Sequence, residues 1–250
     1  VPEEPARTNV SRGRRGDTTD PSMIEPPAFS PAVEPGHERV DSTAYRDIYV
    51  VGDVHGSRSA LEALLASLDP GPEDLVVFVG DLVRKGPDSP GVIDLVRDDD
   101  RLVSVRGNNE QKIVRGDKDP SWLRHGDRAY FESLPIVVSF DDAIVVHGGI
   151  DPERALTTHA AEELLTMRAP HGSGYDGPFW YEDYDGPYRV FFGHTVHERP
   201  VERDHAIGLD TGCVYGGQLT AYDDRRGEFV TVDPATTHQS RSAEKIAPVP

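Results

Sequence analysis

Five times in this 250-residue chain an apolar run stops and is followed at once by glycine and by side chains able to ligate a metal. The first copy is Tyr49-Val50-Val51-Gly52-Asp53-Val54-His55-Gly56. The second is 75–79 with Gly80-Asp81, and the third is 102–105 with Gly107-Asn108. The fourth is 143–146 with His147-Gly148-Gly149, and the fifth is 190–192 with Gly193-His194-Thr195. A short β-branched run halted by glycine reads as a strand that delivers its last residues into a loop. Asp53 and His55, a carboxylate and an imidazole two residues apart, can together hold one divalent cation. Singly, an Asp after Gly is an ordinary turn residue and a His an ordinary hydrogen-bonded side chain. Asp53, His55, Asp81, Asn108, His147 and His194 all sit at strand ends, and that shared context points to one converging site.

Helical patterns fall between these runs. Ser57 or Ser59 can cap a helix with Leu61, Leu64, Leu65 and Leu68 on one face, closed by Pro70-Gly71. Ser89-Pro90 opens a second through Val92, Ile93, Leu95 and Val96, 110–115 a short third, and 160–167 another. Segments 136–140 and 143–146 flank Asp141-Asp142 as a hairpin, and 206–209, 219–222 and 229–232 read as strands. Helices early and hairpins late predict an α/β fold of one domain, two layers of sheet covered by helices.

Residues 1–44 are rich in Pro, Glu, Arg, Ser and Thr without periodicity and are expected to form a disordered tail, with the domain over 45–232 and a second tail over 233–250. Val1 and Met23 are alternative start points. The formal charge of -18 lacks the basic stripe of a nucleic-acid binder. Just four of the 26 basic residues are lysine, namely Lys85, Lys112, Lys118 and Lys245. A GC-rich genome also trades Lys for Arg, but the excess of carboxylates favours a halophilic, haloarchaeal-type origin. The lone Cys213 excludes an internal disulfide and a cysteine-based zinc site. No run approaches the ~20 apolar residues of a membrane helix. Arg14-Arg15 is followed by no apolar core, so a cytoplasmic protein is expected.

Hard oxygen donors mixed with imidazoles, and no thiolates, suit a pair of Mn, Fe, Zn or Co ions. The motifs Gly52-Asp53-Val54-His55-Gly56, Gly80-Asp81-Leu82-Val83 ending in Gly86-Pro87, Gly107-Asn108 with Glu110, His147-Gly148-Gly149 and Gly193-His194-Thr195 resemble, in order, those of the calcineurin-like metallophosphoesterases. The closer resemblance is to the PPP-type branch of serine/threonine phosphatases, phage and bacterial phosphatases and diadenosine-tetraphosphate hydrolases. Segment 208–221 is similar to a signature of its bacterial and archaeal members, and the likeness spans roughly 46–232.

The resemblance implies a two-sheet β-sandwich flanked by helices and two divalent cations, Mn2+ foremost, with Fe, Zn, Co or Ni as alternatives. Asp53 and His55 would hold the first, Asp81 would bridge, and Asn108, His147 and His194 would hold the second. A hydroxide between cations ~3.5–4 Å apart would attack the phosphoryl group. Lys85 stands where the family has an arginine clamp, Arg106 precedes the asparagine ligand, and Arg168 matches an arginine aimed at phosphate. Arg168 also reads as a simple cation after a helix C-terminus.

Two departures occur together. Where the family reads Gly-Asn-His-Glu the chain has Gly107-Asn108-Asn109-Glu110, and where it reads Asp-Arg-Gly or Asp-Lys-Gly the chain has Arg84-Lys85-Gly86. The lost His is the family's proton donor to the leaving oxygen, and the lost Asp is its orienting partner. An amide at Asn109 cannot serve as a general acid, which typically costs ~10²- to 10⁴-fold on a poor leaving group. Anhydrides and aryl phosphates are therefore the expected substrates ahead of phosphoserine. His125, His171 and His197 are candidate replacement donors, and the aromatic loop 175–184 reads as a base-stacking platform or as a lid over the core. Expected partners are a phosphorylated small molecule, a nucleotide polyphosphate or a phosphoprotein, without nucleic acid or membrane. The competing readings are a metal- and phosphate-binding pseudoenzyme and, disfavoured by charge, a nucleic-acid phosphodiesterase.

Overall fold

The computed structural model describes residues 10–12, 25–172 and 174–249. Its strands are β1 (Val10–Arg12), β2 (His37–Arg39), β3 (Asp47–Val51), β4 (Asp74–Phe78), β5 (Leu102–Ser104), β6 (Val137–Phe140), β7 (Ala143–Val145), β8 (Arg189–Phe192), β9 (Val201–Arg203), β10 (Ala206–Gly208), β11 (Leu219–Asp223) and β12 (Glu228–Val232). Helices are α1 (Arg58–Leu68), α2 (Ser89–Arg97), α3 (Asn108–Val114), α4 (Asp127–Ser133) and α5 (Ala161–Thr166). The strands form two six-stranded sheets, ordered β1-β12-β11-β3-β4-β5 and β2-β6-β7-β8-β10-β9.

Strand β3 shows why the apolar runs are continuous rather than alternating. Ile48 and Val50 face the second sheet in a cluster with Val77, Val145 and Phe191. Tyr49 and Val51 face outward onto Leu61, Leu64, Val92 and Ile93 of α1 and α2. Both faces are covered, so every position of β3 and β4 is buried. The second sheet is covered by Leu164 and Leu165 of α5 and by Phe179, Trp180 and Tyr181. The result is helix, sheet, sheet, helix, as expected from the sequence.

Strands β3, β4 and β5 are parallel, as are β7 and β8. Asp53 and Asp81 therefore leave the same end of one sheet, and His147 and His194 the same end of the other. The predicted hairpin is present, with Phe140 paired to Ala143 around Asp141 and Asp142. Helix α2 is capped by Asp88, whose Oδ1 accepts from Gly91 N at 2.8 Å, one residue before the expected Ser89.

Both expected tails need correction. Residues 1–9 and 13–24 lie outside the described residues, but Val10–Arg12 pairs antiparallel with β12. His37–Arg39 pairs parallel with β6, and Phe29 and Val33 are buried in the core of the second sheet. Beyond 232, His238 N and Gln239 N donate to Val214 O, and Ala247, 1 % exposed, donates its N–H to Val196 O at 2.8 Å. A few apolar anchors and backbone hydrogen bonds hold segments whose composition is that of a solvated tail.

Candidate active site

The turns that carry the site are conformationally strained. His55, Asp81 and His194 have φ of 50°, 51° and 64°, and Lys85 has 69°. Side chains other than glycine are uncommon there, and the conformation costs on the order of 1–2 kcal/mol each. The adjoining glycines admit close approach: a Cβ on Gly193 would lie 2.0 Å from Asp53 Oδ1, and one on Gly107 2.3 Å from Asp81 Oδ1.

Asp53, His55 and Asp81 form one corner, buried, with ligand atoms all within 4.8 Å of one another. His55 Nε2 is 3.7 Å from Asp53 Oδ2 and 3.6 Å from Asp81 Oδ2. Asp81 is shared, since its Oδ1 lies 3.4 Å from His147 Nε2. The His147 and His194 rings meet edge to face with centroids 4.9 Å apart, and His194 N donates to Asp53 Oδ1 at 3.2 Å. Asn108 joins through its neighbour: Asn109 Nδ2 donates to Asn108 Oδ1 at 3.3 Å and to Asp81 Oδ2, and Asn109 N donates to Asp81 Oδ1 at 2.8 Å. The six residues thus lie in one connected set of contacts, of which Asp53, His55 and Asp81 form a group that could hold an ion.

Backbone carbonyls aim the imidazoles. His55 Nδ1 donates to Val83 O at 3.3 Å and His147 Nδ1 to Val79 O at 2.8 Å, which leaves each Nε2 facing the centre. Among the described residues, Asp53 Oδ2, His147 Nε2 and His194 Nε2 are buried with no hydrogen-bond partner. An orphaned buried polar atom costs about 1–3 kcal/mol, and three of them gathered at one site are atoms that bound cations would satisfy. The Lys85 ammonium, 2.7 Å from His55 Nε2, shows that this corner receives positive charge. The donor set fits a pair of divalent metals.

Titration follows from burial and crowding. Burial, then Asp210, drives the Asp53 carboxyl well above the usual range. Burial opposes the ionised form of Asp81 too, but His147, His55 and Lys85 together hold it well below. Burial and then Lys85 push His55 down to about 3, while His147, against burial, is raised to about 9 by Asp81 and Asp53.

Glu110 has a role that its motif position alone did not reveal. Fully buried, its carboxylate accepts from Asp81 N at 3.0 Å, Val83 N at 3.1 Å and Gly107 N at 2.8 Å. It clamps the two ligand loops together. Burial and then the Asp81 charge push its carboxyl up to about 7. A Glu two residues after a ligand in a glycine-led loop is the sequence signal for such a clamp.

The other predicted residues divide. Arg84 Nη1 donates to Asn109 Oδ1, so the two departures from the family pattern touch each other. Arg168 reaches the site, its Nη2 donating to the backbone oxygen of His194 at 3.1 Å. Arg106 is a correction: its guanidinium donates to Gln111 Oε1 at 3.0 Å and to the carbonyls of Glu132 and Leu134, tying α3 to the end of α4 rather than facing phosphate. Of the candidate donor histidines, His197 is buried against Tyr181 OH at 2.8 Å, His171 pairs with Glu153 at 3.2 Å, and His125 is exposed. None takes the place of the missing acid. In the aromatic loop, Phe179, Trp180 and Tyr181 belong to the core, while Tyr175 lies beside Arg168. A cleft of about 540 Å³ lined by Arg46, Asp47 and Arg226 opens at the opposite end of β3, where Arg46 is paired with Asp47 and Asp74.

Residues 46–215 match the family model described as calcineurin-like phosphoesterase. The chain belongs to that family. Its relatives are named phosphatases and tetraphosphatases, the family works with divalent cations, and Asp53, His55 and Asp81 could hold one. A serine/threonine-protein phosphatase 1 of Salmonella typhimurium is 28% identical over 206 residues, 74% of this chain and 94% of the relative. An asymmetrical bis(5'-nucleosyl)-tetraphosphatase of Oceanobacillus iheyensis is 28% identical over 249 residues, 80% of this chain and 96% of the relative. A crystal structure provisionally described as a diadenosine tetraphosphatase superposes with a TM-score of 0.70 at 32% identity, covering 79% of this chain and 97% of that one. Among the described residues no helix is long and apolar enough to cross a membrane.

Proposed function

We propose that this calcineurin-like phosphoesterase is a two-metal phosphohydrolase acting on phosphoanhydrides, above all dinucleoside polyphosphates, and on aryl phosphates ahead of alkyl phosphoesters. Asp53 and His55 would hold one cation, Asn108, His147 and His194 the other, with Asp81 between them; oxygen and imidazole donors favour Mn2+. When bound, the cations supply charge that polarises the phosphoryl oxygens and lowers the pKa of a water. The observation that carries the catalytic reading is that Asp53 Oδ2, His147 Nε2 and His194 Nε2, on residues gathered about Asp81, are buried without a hydrogen bond.

Substrate preference follows from Asn109. With Arg84 donating to its Oδ1, the amide turns its Nδ2 toward Asp81, and neither group carries a proton that can be released near neutral pH. The leaving oxygen takes the electron pair of the broken P–O bond and departs as an anion beside a fixed guanidinium. A phosphate or phenolate is stable in that form, whereas an alkoxide is not. Lys85 touches His55 and Arg168 touches His194, and these two cations would neutralise phosphoryl oxygens. The names of the tetraphosphatase relatives support the same preference.

Purified protein with Mn2+ in molar KCl is expected to hydrolyse p-nitrophenyl phosphate, and Asp81→Asn to abolish that turnover. Across diadenosine tetraphosphate, aryl phosphates of graded leaving-group pKa and a phosphoserine peptide, kcat/KM should fall steeply as the leaving group becomes more basic. A flat dependence with efficient phosphoserine hydrolysis would sink the preference. Binding of metal and phosphate without turnover would sink the enzyme reading.

A further inference from the structure

Five side chains beside the metal-ligand residues alternate cation and ring. Lys85 Nζ lies 2.7 Å from His55 Nε2 and 5.4 Å from the centroid of the Tyr215 ring. The Arg241 guanidinium lies 4.6 Å from that same ring and 5.3 Å from the ring of Tyr175. Arg168 covers Tyr175 at 5.1 Å and closes the row on His194, whose carbonyl accepts from its Nη2 at 3.1 Å. The row therefore starts at a ligand histidine of the first sheet and ends at one of the second.

Arg241 is the member that no motif predicts, because it comes from the C-terminal segment. It is held on purpose-built contacts: Nε donates to Lys245 O at 2.6 Å and Nη2 to Tyr175 OH, while Gln239 Nε2 donates to Lys85 O at 3.0 Å. Rings, carbonyls, an imidazole and a phenol hold the three cations; Asp210 and Asp81 act on Lys85 at longer range, and Asp210 on Arg241 as well. In a chain of formal charge -18, three cations arranged this way call for an anionic ligand.

We infer that Arg241 is a specificity-determining residue that binds the phosphates beyond the one being cleaved, so that the C-terminal segment selects polyphosphate chains over monophosphates. This inference rests on the phosphohydrolase reading above. Lys85 and Arg168 each touch a histidine of the candidate ligand set, whereas Arg241 touches none of the six. A third cation midway has work only when further phosphates are present, and Arg is the side chain that grips them by paired N–H donors. The Tyr175 and Tyr215 faces are taken by guanidinium groups, so the row recognises the phosphate chain and not the base.

The test uses the full chain with Mn2+, as wild type, Arg241→Ala and Arg241→Lys. Inorganic tripolyphosphate is titrated calorimetrically, which needs no turnover, and kcat/KM is measured for diadenosine tetraphosphate and p-nitrophenyl phosphate. Arg241→Ala is expected to weaken tripolyphosphate about tenfold or more and to raise KM for diadenosine tetraphosphate similarly, with kcat little moved. The p-nitrophenyl phosphate value should fall by less than about threefold, and Arg241→Lys should recover part of the affinity. Unchanged tripolyphosphate affinity, or an equal fall for both substrates, overturns the inference. Failure of the wild type to hydrolyse either substrate overturns the phosphohydrolase reading instead, and the calorimetric comparison still decides the role of Arg241.

Discussion

At Asn109 a single amide sits where the family's resemblance places an imidazole, and its partner Arg84 sits where a carboxylate is expected. An Asp/His pair is neutral overall with the proton on histidine, whereas Arg/Asn carries one fixed positive charge. The exchange substitutes charge stabilisation for proton delivery. Restoring both residues, Arg84→Asp with Asn109→His, should raise kcat/KM for a phosphoserine peptide by roughly 10- to 100-fold and introduce an alkaline limb in its pH profile. Turnover of diadenosine tetraphosphate should change far less. An unchanged ratio between the two substrates would show that the pair does not set the preference. A second residue-scale prediction concerns Gly193. A Cβ there would lie 2.0 Å from Asp53 Oδ1, so Gly193→Ala must displace that carboxylate. Mn2+ affinity should drop by roughly 10- to 100-fold, the range seen when support for a metal ligand is lost, as read by a metal titration.

Strands and helices were readable to different depths. The runs that became β3, β4, β7 and β8 stood out because both faces of each sheet are covered, leaving every position but the leading Asp47, Asp74 and Arg189 apolar. The six candidate ligands stood out because each follows an apolar run, Asn108 after that of β5 and the other five after those of β3, β4, β7 and β8. Helix α4 did not, since just Phe131 and Asp127 of its seven residues are buried and its pattern is mostly polar. Nor did the segments before β3 and after β12. They are held by a few anchors, such as Phe29, Val33 and Ala247, and by backbone hydrogen bonds that no side-chain pattern announces. One consequence is a pH effect at the point where the C-terminal segment docks. His197 bridges Ala247 in β fashion, meets the rings of Phe179, Tyr181 and Phe192 edge to face, and by burial is pushed down to about 3. Its ordinary value is 6.5, so between those limits the unfolded chain holds a proton that the folded chain does not. Its contribution to stability is complete above pH ~6.5 and is lost as pH falls toward ~3, with a slope of up to about 1.4 kcal/mol per pH unit. Urea unfolding of wild type and His197→Gln at pH 7.5 and 5.5 should show the variant losing about 1 kcal/mol less across that interval. Parallel losses would mean that His197 takes up its proton without leaving its site.

Over the whole molecule the formal charge of -18 sets two salt effects of opposite sign. Compact folding brings 44 carboxylates and 26 cationic side chains together, and the unbalanced carboxylates repel over a Debye length of about 10 Å at 0.1 M salt but about 3 Å at 1 M. Salt also weakens surface pairs such as Arg124 with Asp94 and Arg97 with Asp94. Exposed pairs are worth about 0–1 kcal/mol each and act over short range, whereas the self-repulsion is summed over the whole surface. Screening of the repulsion should therefore win, raising Tm by on the order of 5 °C or more between 0.1 and 2 M KCl. The row Lys85, Arg168 and Arg241 obeys the reverse rule, since its attraction for a polyphosphate is screened by the same ions. Tripolyphosphate affinity should fall over the interval in which thermal stability rises, and fall more steeply in wild type than in Arg241→Ala, which has one cation fewer. Differential scanning calorimetry and binding titrations on one salt series read both slopes. A Tm that declines with KCl would mean that local Arg–Asp pairing outweighs the net charge.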